Sequence, residues 1–169
     1  MSQFPDAVDA ARFRDAMSRL ATGVSIVTTA DADGAPFGLT ATAVCSVSLE
    51  PPIVLASLAA SSATHAAIRV TERFALNFLG RRNADLARRF SSSATDKFVG
   101  VDWRPGVTGC PVLPAALAVC ECELERTVQV GDHSVYFGQV LRVGVDDDSD
   151  DPLVYFRGSY EGLARSSPS

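Results

Sequence analysis

With 169 residues, 47% of them hydrophobic, and a formal net charge of −5, the chain suits one domain able to bury about 68–70% of its extended surface. The acidity excludes a broad nucleic-acid surface, which needs clustered Lys and Arg, yet leaves room for a local positive patch and a small anionic ligand. No apolar run approaches the ~18 residues of a membrane span, and MSQFPDAVDAARF at the start has neither the basic opening nor the apolar stretch of a secretion signal.

Residues 1–8 and 164–169 are expected to be flexible ends around a single domain over 9–163. DAARFRDAMSRL (9–20) brings Phe13, Ala16, Met17 and Leu20 onto one helical face, with Gly23 as a stop beyond it. GVSIVTTA (23–30) is rich in β-branched residues and predicts a strand. DADG (31–34) supplies a turn, and a second strand over roughly 36–47 completes a hairpin. Pro51 and Pro52 close that strand, because proline removes a ladder donor and restricts its predecessor. PIVLASL (52–58) predicts a short apolar strand, and SSATHAAIRV (61–70) a helix that Ser61 or Ser62 can cap. RFALNFL (73–79) returns to strand character. NADLARRF (83–90) predicts a compact helix with Leu86 and Phe90 on one side and arginines at 81, 82, 88 and 89 around it.

Residues 91–116 are dense in Ser, Gly and Pro, but Phe98, Val99, Trp103 and Leu113 give this excursion something to bury, so it is expected to be ordered. Strands over about 117–130 and 133–145 flank Gly131-Asp132, and in the second Val135, Phe137, Leu141, Val143 and Val145 share a face with Gln139. VDDDSDD (145–151) holds five aspartates and must be solvated; PLVYFRG (152–158) predicts the last strand. Six or seven strands and three short helices lack the alternation of a doubly wound sheet. They point to a mainly β fold, an antiparallel barrel whose closure removes aggregation-prone edges.

Complete catalytic sets are missing. There is no GxGxxG, no phosphate loop of the GxxxxGK type and no HExxH, and no GxSxG elbow. His65 and His133 cannot supply a three-histidine zinc site, and no metal is expected. Cysteines 45, 110, 120 and 122 do not form a secreted disulfide framework. Cys120 and Cys122 fall on one side of a strand and are expected to be buried apolar groups in a reducing cytoplasm. A cofactor-dependent reaction would need the fewest protein acids and bases. In VGDHSVYFGQV (130–140), His133 reads from the residues alone as either a turn histidine or a catalytic one.

A resemblance emerges from the order and spacing of several segments. They are ATGVSIVTT (21–29), DGAPFGLTATAVCSVSLEPPIVLASL (33–58), RFALNFL (73–79), LARRF (86–90), KFVGVDWRPGVTGCPVLPAAL (97–117), GDH followed by FGQV (131–140), and PLVYFRGSY (152–160). Over about Phe13 to Leu163 the chain resembles the short-chain flavin reductases that serve two-component flavin-dependent monooxygenases. The resemblance implies a homodimeric split β-barrel, with Greek-key connections and short helices, that binds FMN or FAD. It implies hydride from NADH or NADPH, and reduced flavin leaving by diffusion for a monooxygenase.

On that resemblance, Leu39, Thr40, Ala41, Thr42 and Ala43, with Cys45 and Ser46 beyond, match the stretch beside the isoalloxazine ring, where small residues permit close backbone approach. Ser57, Leu58, Ser61, Ser62 and Thr64 match the segment holding the ribityl phosphate, where a helix start offers free amides to an anion; helix capping is the other use of these hydroxyls. Arg89 and Phe90 match residues near the phosphate or the nucleotide tail, while a solvated helix face is the alternative for the arginines. Gly131, Asp132, His133 and Tyr160 fall on the nicotinamide side, and His133 is the implied catalytic residue, positioning the nicotinamide or assisting protonation. Asn83 stands where the family usually carries glutamine, and Thr42 near a position where many relatives carry asparagine. A flavin carrier without nucleotide access, or a structural barrel module, would share the same scaffold.

Overall fold

A computed structural model of the chain describes residues 9–146 and 151–163. The ends 1–8 and 164–169, expected to be flexible, lie outside the described residues, as does 147–150 of the acidic run. Helix α1 (Ala10–Ser18) is capped by Asp9, whose Oδ1 accepts from the amides of Ala11 and Arg12 at 2.9 and 2.8 Å. Its apolar residues Phe13 and Met17, with Leu20 just beyond, are exposed.

Strands β1 (Thr22–Gly23), β2 (Ser25–Ala30) and β3 (Pro36–Ala41) follow. The β2–β3 turn is held by Asp31 Oδ1, which accepts from Asp33 N at 3.0 Å and Ala35 N at 2.8 Å. The predicted strand over 36–47 is in fact two: β3 stops at Ala41 and β4 (Val44–Leu49) begins after Thr42-Ala43. Next come β5 (Pro52–Ala59), α2 (Ala63–Thr71), β6 (Arg73–Phe78), a 3₁₀ turn at Arg81–Asn83, and α3 (Ala84–Ser91). The excursion contributes β7 (Arg104–Pro105) and β8 (Pro111–Val112), and the chain continues through β9 (Ala118–Val130), β10 (His133–Val145), β11 (Leu153–Phe156) and β12 (Ser159–Gly162). PLVYFRG is therefore not the last strand: β12 folds back on β11, and together with β1 they make a sheet in the order β1-β11-β12.

The main sheet is antiparallel, in the order β3-β2-β6-β9-β10-β5-β4. Its two edge strands, β3 and β4, are consecutive in the chain and joined only by Thr42 and Ala43. Laid flat, six strand spacings would part these edges by about 29 Å, whereas the junction from Ala41 to Val44 reaches at most about 11 Å. The sheet must therefore curl until its edges approach. Among the described residues no ladder joins β3 to β4, so the fully closed, edge-free barrel expected from the sequence is not formed. The junction carries the chain across the gap rather than along a ladder. The fold is a mainly β, curled sheet with short helices.

Alternation along the strands splits the core into two. Val27, Ala41, Val54, Ala56, Leu58, Phe74, Leu76, Cys122 and Tyr136 pack on one face with Ile68 of α2. Ile26, Ala75 and Val119 face the other way, with Ala87 and Phe90 of α3. Each fully buried Leu, Ile or Phe contributes roughly 1.5–3 kcal/mol. Buried Asn77 pins the excursion to the sheet. Its Nδ2 donates to Ile26 O at 3.2 Å and Thr28 Oγ1 at 3.1 Å, and its Oδ1 accepts from Leu113 N at 2.9 Å. Phe98 stacks edge-on against Phe90 and Trp103, with centroids at 4.9 and 5.8 Å, and Leu113 is buried; Val99, expected to be buried with them, points outward at 67% exposure.

In β10 the buried positions are Ser134, Tyr136 and Gly138, while Leu141, Val143 and Val145 are exposed. Register shifts after Phe137 and Val140 interrupt its alternation. All four cysteines are unpaired. Cys122 is fully buried, which pushes its thiol pKa well up; Cys120 is only half-buried, and Cys45 is exposed.

Candidate functional site

Where the two sheet edges approach, a concavity of about 380 Å³ opens. One wall is Leu39–Ala43 at the end of β3 and the junction; the facing wall is Ser57–Ala59 of β5. A backbone bond from Ser57 N to Ala43 O, 2.9 Å, fixes the junction to the facing wall. Small side chains on both walls leave a slot that admits a flat group against the backbone.

Helix α3 closes one end. Thr40 Oγ1 donates to Ala87 O at 2.7 Å, tying β3 to the helix. Gly38 is required here, since a Cβ on it would stand 2.7 Å from the Phe90 ring and 3.1 Å from Phe98. Its absence lets Phe90, Ser91 and Ser92 reach the cleft. Lys97 lies beside them: its Nζ donates to Phe90 O at 3.0 Å and more weakly to Gly38 O at 3.5 Å. The ammonium thus sits on the carbonyl end of α3, where the helix dipole favours a cation, while burial pushes its pKa down.

Ser62 and His133 complete the lining. Ser62 caps α2, its Oγ accepting from His65 N at 3.1 Å. His133, the first residue of β10, pairs with Ala59 of β5, and Ala60 N donates to Asp132 O at 2.9 Å. The imidazole is about half exposed, with Nδ1 2.8 Å from Asp132 Oδ1. That hydrogen bond, and then the imidazole charge, hold the Asp132 carboxyl below its ordinary pKa.

Leu39, Thr40, Ala41, Thr42, Ala43, Ser57, Leu58, Ser62, Phe90 and His133 are thus brought to one cleft. The remaining residues singled out in the sequence lie elsewhere. Cys45 and Ser46 are exposed on β4, opposite Leu55 and Val54. Ser61 is exposed just before α2, and Thr64 is buried within it. Arg89 is engaged by the loop that follows α3, donating to the carbonyls of Val99 and Asp96. Gly131, at φ 59°, and Asp132 shape the turn before His133. Tyr160 lines a second concavity of about 690 Å³ with Tyr155 and Arg88. The two concavities share Thr40, Thr42 and Ser91, but His133 belongs only to the first and Tyr160 only to the second.

Sequence reasoning passed over Lys97, Ser91 and Ser92, which sit in a stretch with no periodicity. A third concavity, of about 760 Å³ and lined by Arg104, Glu121 and Arg142, contains none of the residues singled out. Among the described residues no cluster of His, Cys, Asp and Glu could hold a metal, and no helix is long and apolar enough to cross a membrane. The cleft's chemistry is that of an anion-tolerant slot: an ammonium, hydroxyls, and one imidazole at the rim.

Known proteins resemble this chain over most of its length. Residues 17–164 match the model of the flavin reductase like domain. The chain is 38% identical over 167 residues to the FMN reductase (NADH) RutF of Stutzerimonas stutzeri, covering 98% of this chain and 95% of the relative. It is 38% identical to the reductase subunit HsaB of a flavin-dependent monooxygenase from Rhodococcus jostii, covering 94% and 80%. A probable flavin reductase of Rhizobium meliloti is also 38% identical, but the chain spans only 48% of its length. Among solved structures, the flavin reductase PheA2 superposes with a TM-score of 0.85 at 35% identity over 94% of this chain and all of that one. The Streptomyces globisporus NADH:FAD oxidoreductase SgcE6 gives a TM-score of 0.90 at 28% identity, covering 99% and 100%.

Proposed function

Because the chain belongs to the short-chain flavin reductase family, we propose that the cleft between β3 and β5 receives FMN or FAD as a substrate and opens it to NADH or NADPH. The chain is an NAD(P)H-dependent flavin reductase. Hydride from the dihydronicotinamide and a proton from water convert oxidised to reduced flavin, which leaves for a partner monooxygenase. The observation that carries the reading is the single slot formed by Leu39–Ala43, Ser57–Ala59, Ser62 and His133.

Within it, the backbone of Leu39–Ala43 and the small wall of β5 hold the ring. Ser62, the first amides of α2 and the Lys97 ammonium suit the phosphate. His133 orients the nicotinamide, since rate depends on holding the reacting atoms at roughly 3–3.5 Å. The near approach of the sheet edges supports a split barrel, and the exposed apolar residues of β10 support a homodimer. Four unpaired cysteines suit a reducing cytoplasm.

A kinetic matrix of NADH and NADPH against FMN and FAD tests the proposal. Donor oxidation that rises with added flavin is expected. Tight flavin binding without turnover would indicate a carrier, and binding of neither ligand a barrel used only as scaffold.

A further inference from the structure

We propose that Tyr136 is a positioning residue for flavin binding, its hydroxyl holding the first turn of α2, and with it Ser62, in place against β10; this rests on the reading of the cleft as a flavin site. Tyr136 is fully buried in β10, between Ala56 of β5 and Thr127 of β9. Its ring packs in an apolar cluster, 6.5 Å from the Phe74 centroid. There a phenol is costly unless its hydroxyl is bonded. The hydroxyl finds its partner on α2: His65 Nδ1 stands at 2.5 Å, with the imidazole edge-on to the phenol ring at 5.8 Å. His65 O, at 3.4 Å, is the weaker acceptor. Burial and then the Arg69 charge favour the neutral imidazole, in which Nδ1 can accept the phenol hydrogen.

The two ends of α2 are held differently. Toward its C-terminus, Ile68 is fully buried and Thr71 Oγ1 lies 3.0 Å from Thr29 Oγ1 of β2. In the first turn Thr64 is buried, but among the described residues the Tyr136 hydroxyl makes the only side-chain hydrogen bonds between this turn and the sheet. A nine-residue helix spans about 14 Å, so an unpinned first turn can shift while the far end stays anchored. That turn bears on the cleft because Ser62, in its lining, accepts from the backbone amide of the same His65 at 3.1 Å. His133, which lines the cleft from the rim, opens β10. One strand therefore carries the rim imidazole and, through Tyr136, sets the place of Ser62.

FMN titration followed by flavin fluorescence, steady-state kinetics and calorimetry of wild type, Tyr136→Phe, His65→Leu and His65→Gln separate positioning from packing. Tyr136→Phe keeps the ring and loses only the bond. It should weaken FMN binding and raise KM for FMN about fivefold, with kcat at saturating flavin and KM for NADH within about twofold of wild type. His65→Leu should do the same, and the two changes combined should add nothing further. His65→Gln offers the phenol an amide oxygen and should restore the wild-type KM. A lower Tm with unchanged FMN affinity in both Tyr136→Phe and His65→Leu makes the bond structural only and overturns the proposal. A rise in KM for FMN that His65→Gln shares with His65→Leu overturns it too. In either case flavin-dependent turnover by wild type leaves the reductase standing. Conversely, FMN binding that the variants weaken, in a protein without flavin-dependent turnover, leaves the positioning role and removes the reductase.

Discussion

His133 and His65, the two histidines, have opposite surroundings. His133 is half exposed, with Nδ1 occupied by Asp132, so Nε2 is the nitrogen available to a ligand. His133→Ala is expected to raise KM for the nucleotide, or slow flavin reduction in stopped flow, about tenfold and more than it alters flavin affinity; unchanged reduction across donor concentrations would remove the role. His65 is half-buried, its Nδ1 2.5 Å from the hydroxyl of fully buried Tyr136. Burial, then the Arg69 charge, lowers the His65 pKa. The unfolded chain therefore binds the proton more readily, and stability falls as pH drops from about 6.5 through the lower folded value. His65→Gln should flatten the decline of Tm between about pH 7 and pH 5, measured by calorimetry. The small residues that line the cleft were singled out through the resemblance alone, since Leu39–Ala43 by themselves read as an ordinary strand. Lys97 was not, because nothing local ties a lysine in a Ser-rich loop to the carbonyl end of a helix.

Turns and caps were the elements most readable from sequence, since their chemistry is local: Asp31 holds its own hairpin, and Ser62 caps α2. Ser62→Ala should cost about 1 kcal/mol, a Tm decrease of roughly 2–4 °C. If the α2 amides meet a phosphate, it should also raise KM for FMN more than for riboflavin; equal effects on both would move the phosphate elsewhere. The break between β3 and β4 escaped notice because TATAV carries no Gly or Pro to mark it, and only the curl of the sheet requires it. β12 was missed because SYEG has little β-branched character and pairs only through the Arg157-Gly158 turn. Hydrophobic spacing along β10 reported that a face exists, not which partner covers it.

For the molecule as a whole, Leu141, Val143 and Val145 present 53%, 56% and 70% of their surface on β10. A charge placed there should block self-association: Val143→Asp is expected to elute as a monomer where wild type scatters light as a dimer, and a monomeric wild type would refute the homodimer. The mainly β class and the antiparallel pairing followed from the strand pattern, which pointed to a closed barrel, whereas a split was implied only by the resemblance, because only three-dimensional order reveals that chain neighbours end on opposite edges. That order has a consequence for synthesis. The β4–β5 hairpin joins the rest of the sheet only through β10, more than seventy positions downstream. On the ribosome, which adds roughly 5–20 residues per second, the hairpin must wait undocked until β10 emerges, so a nascent chain shapes the cleft between β3 and β5 only once β10 has been made.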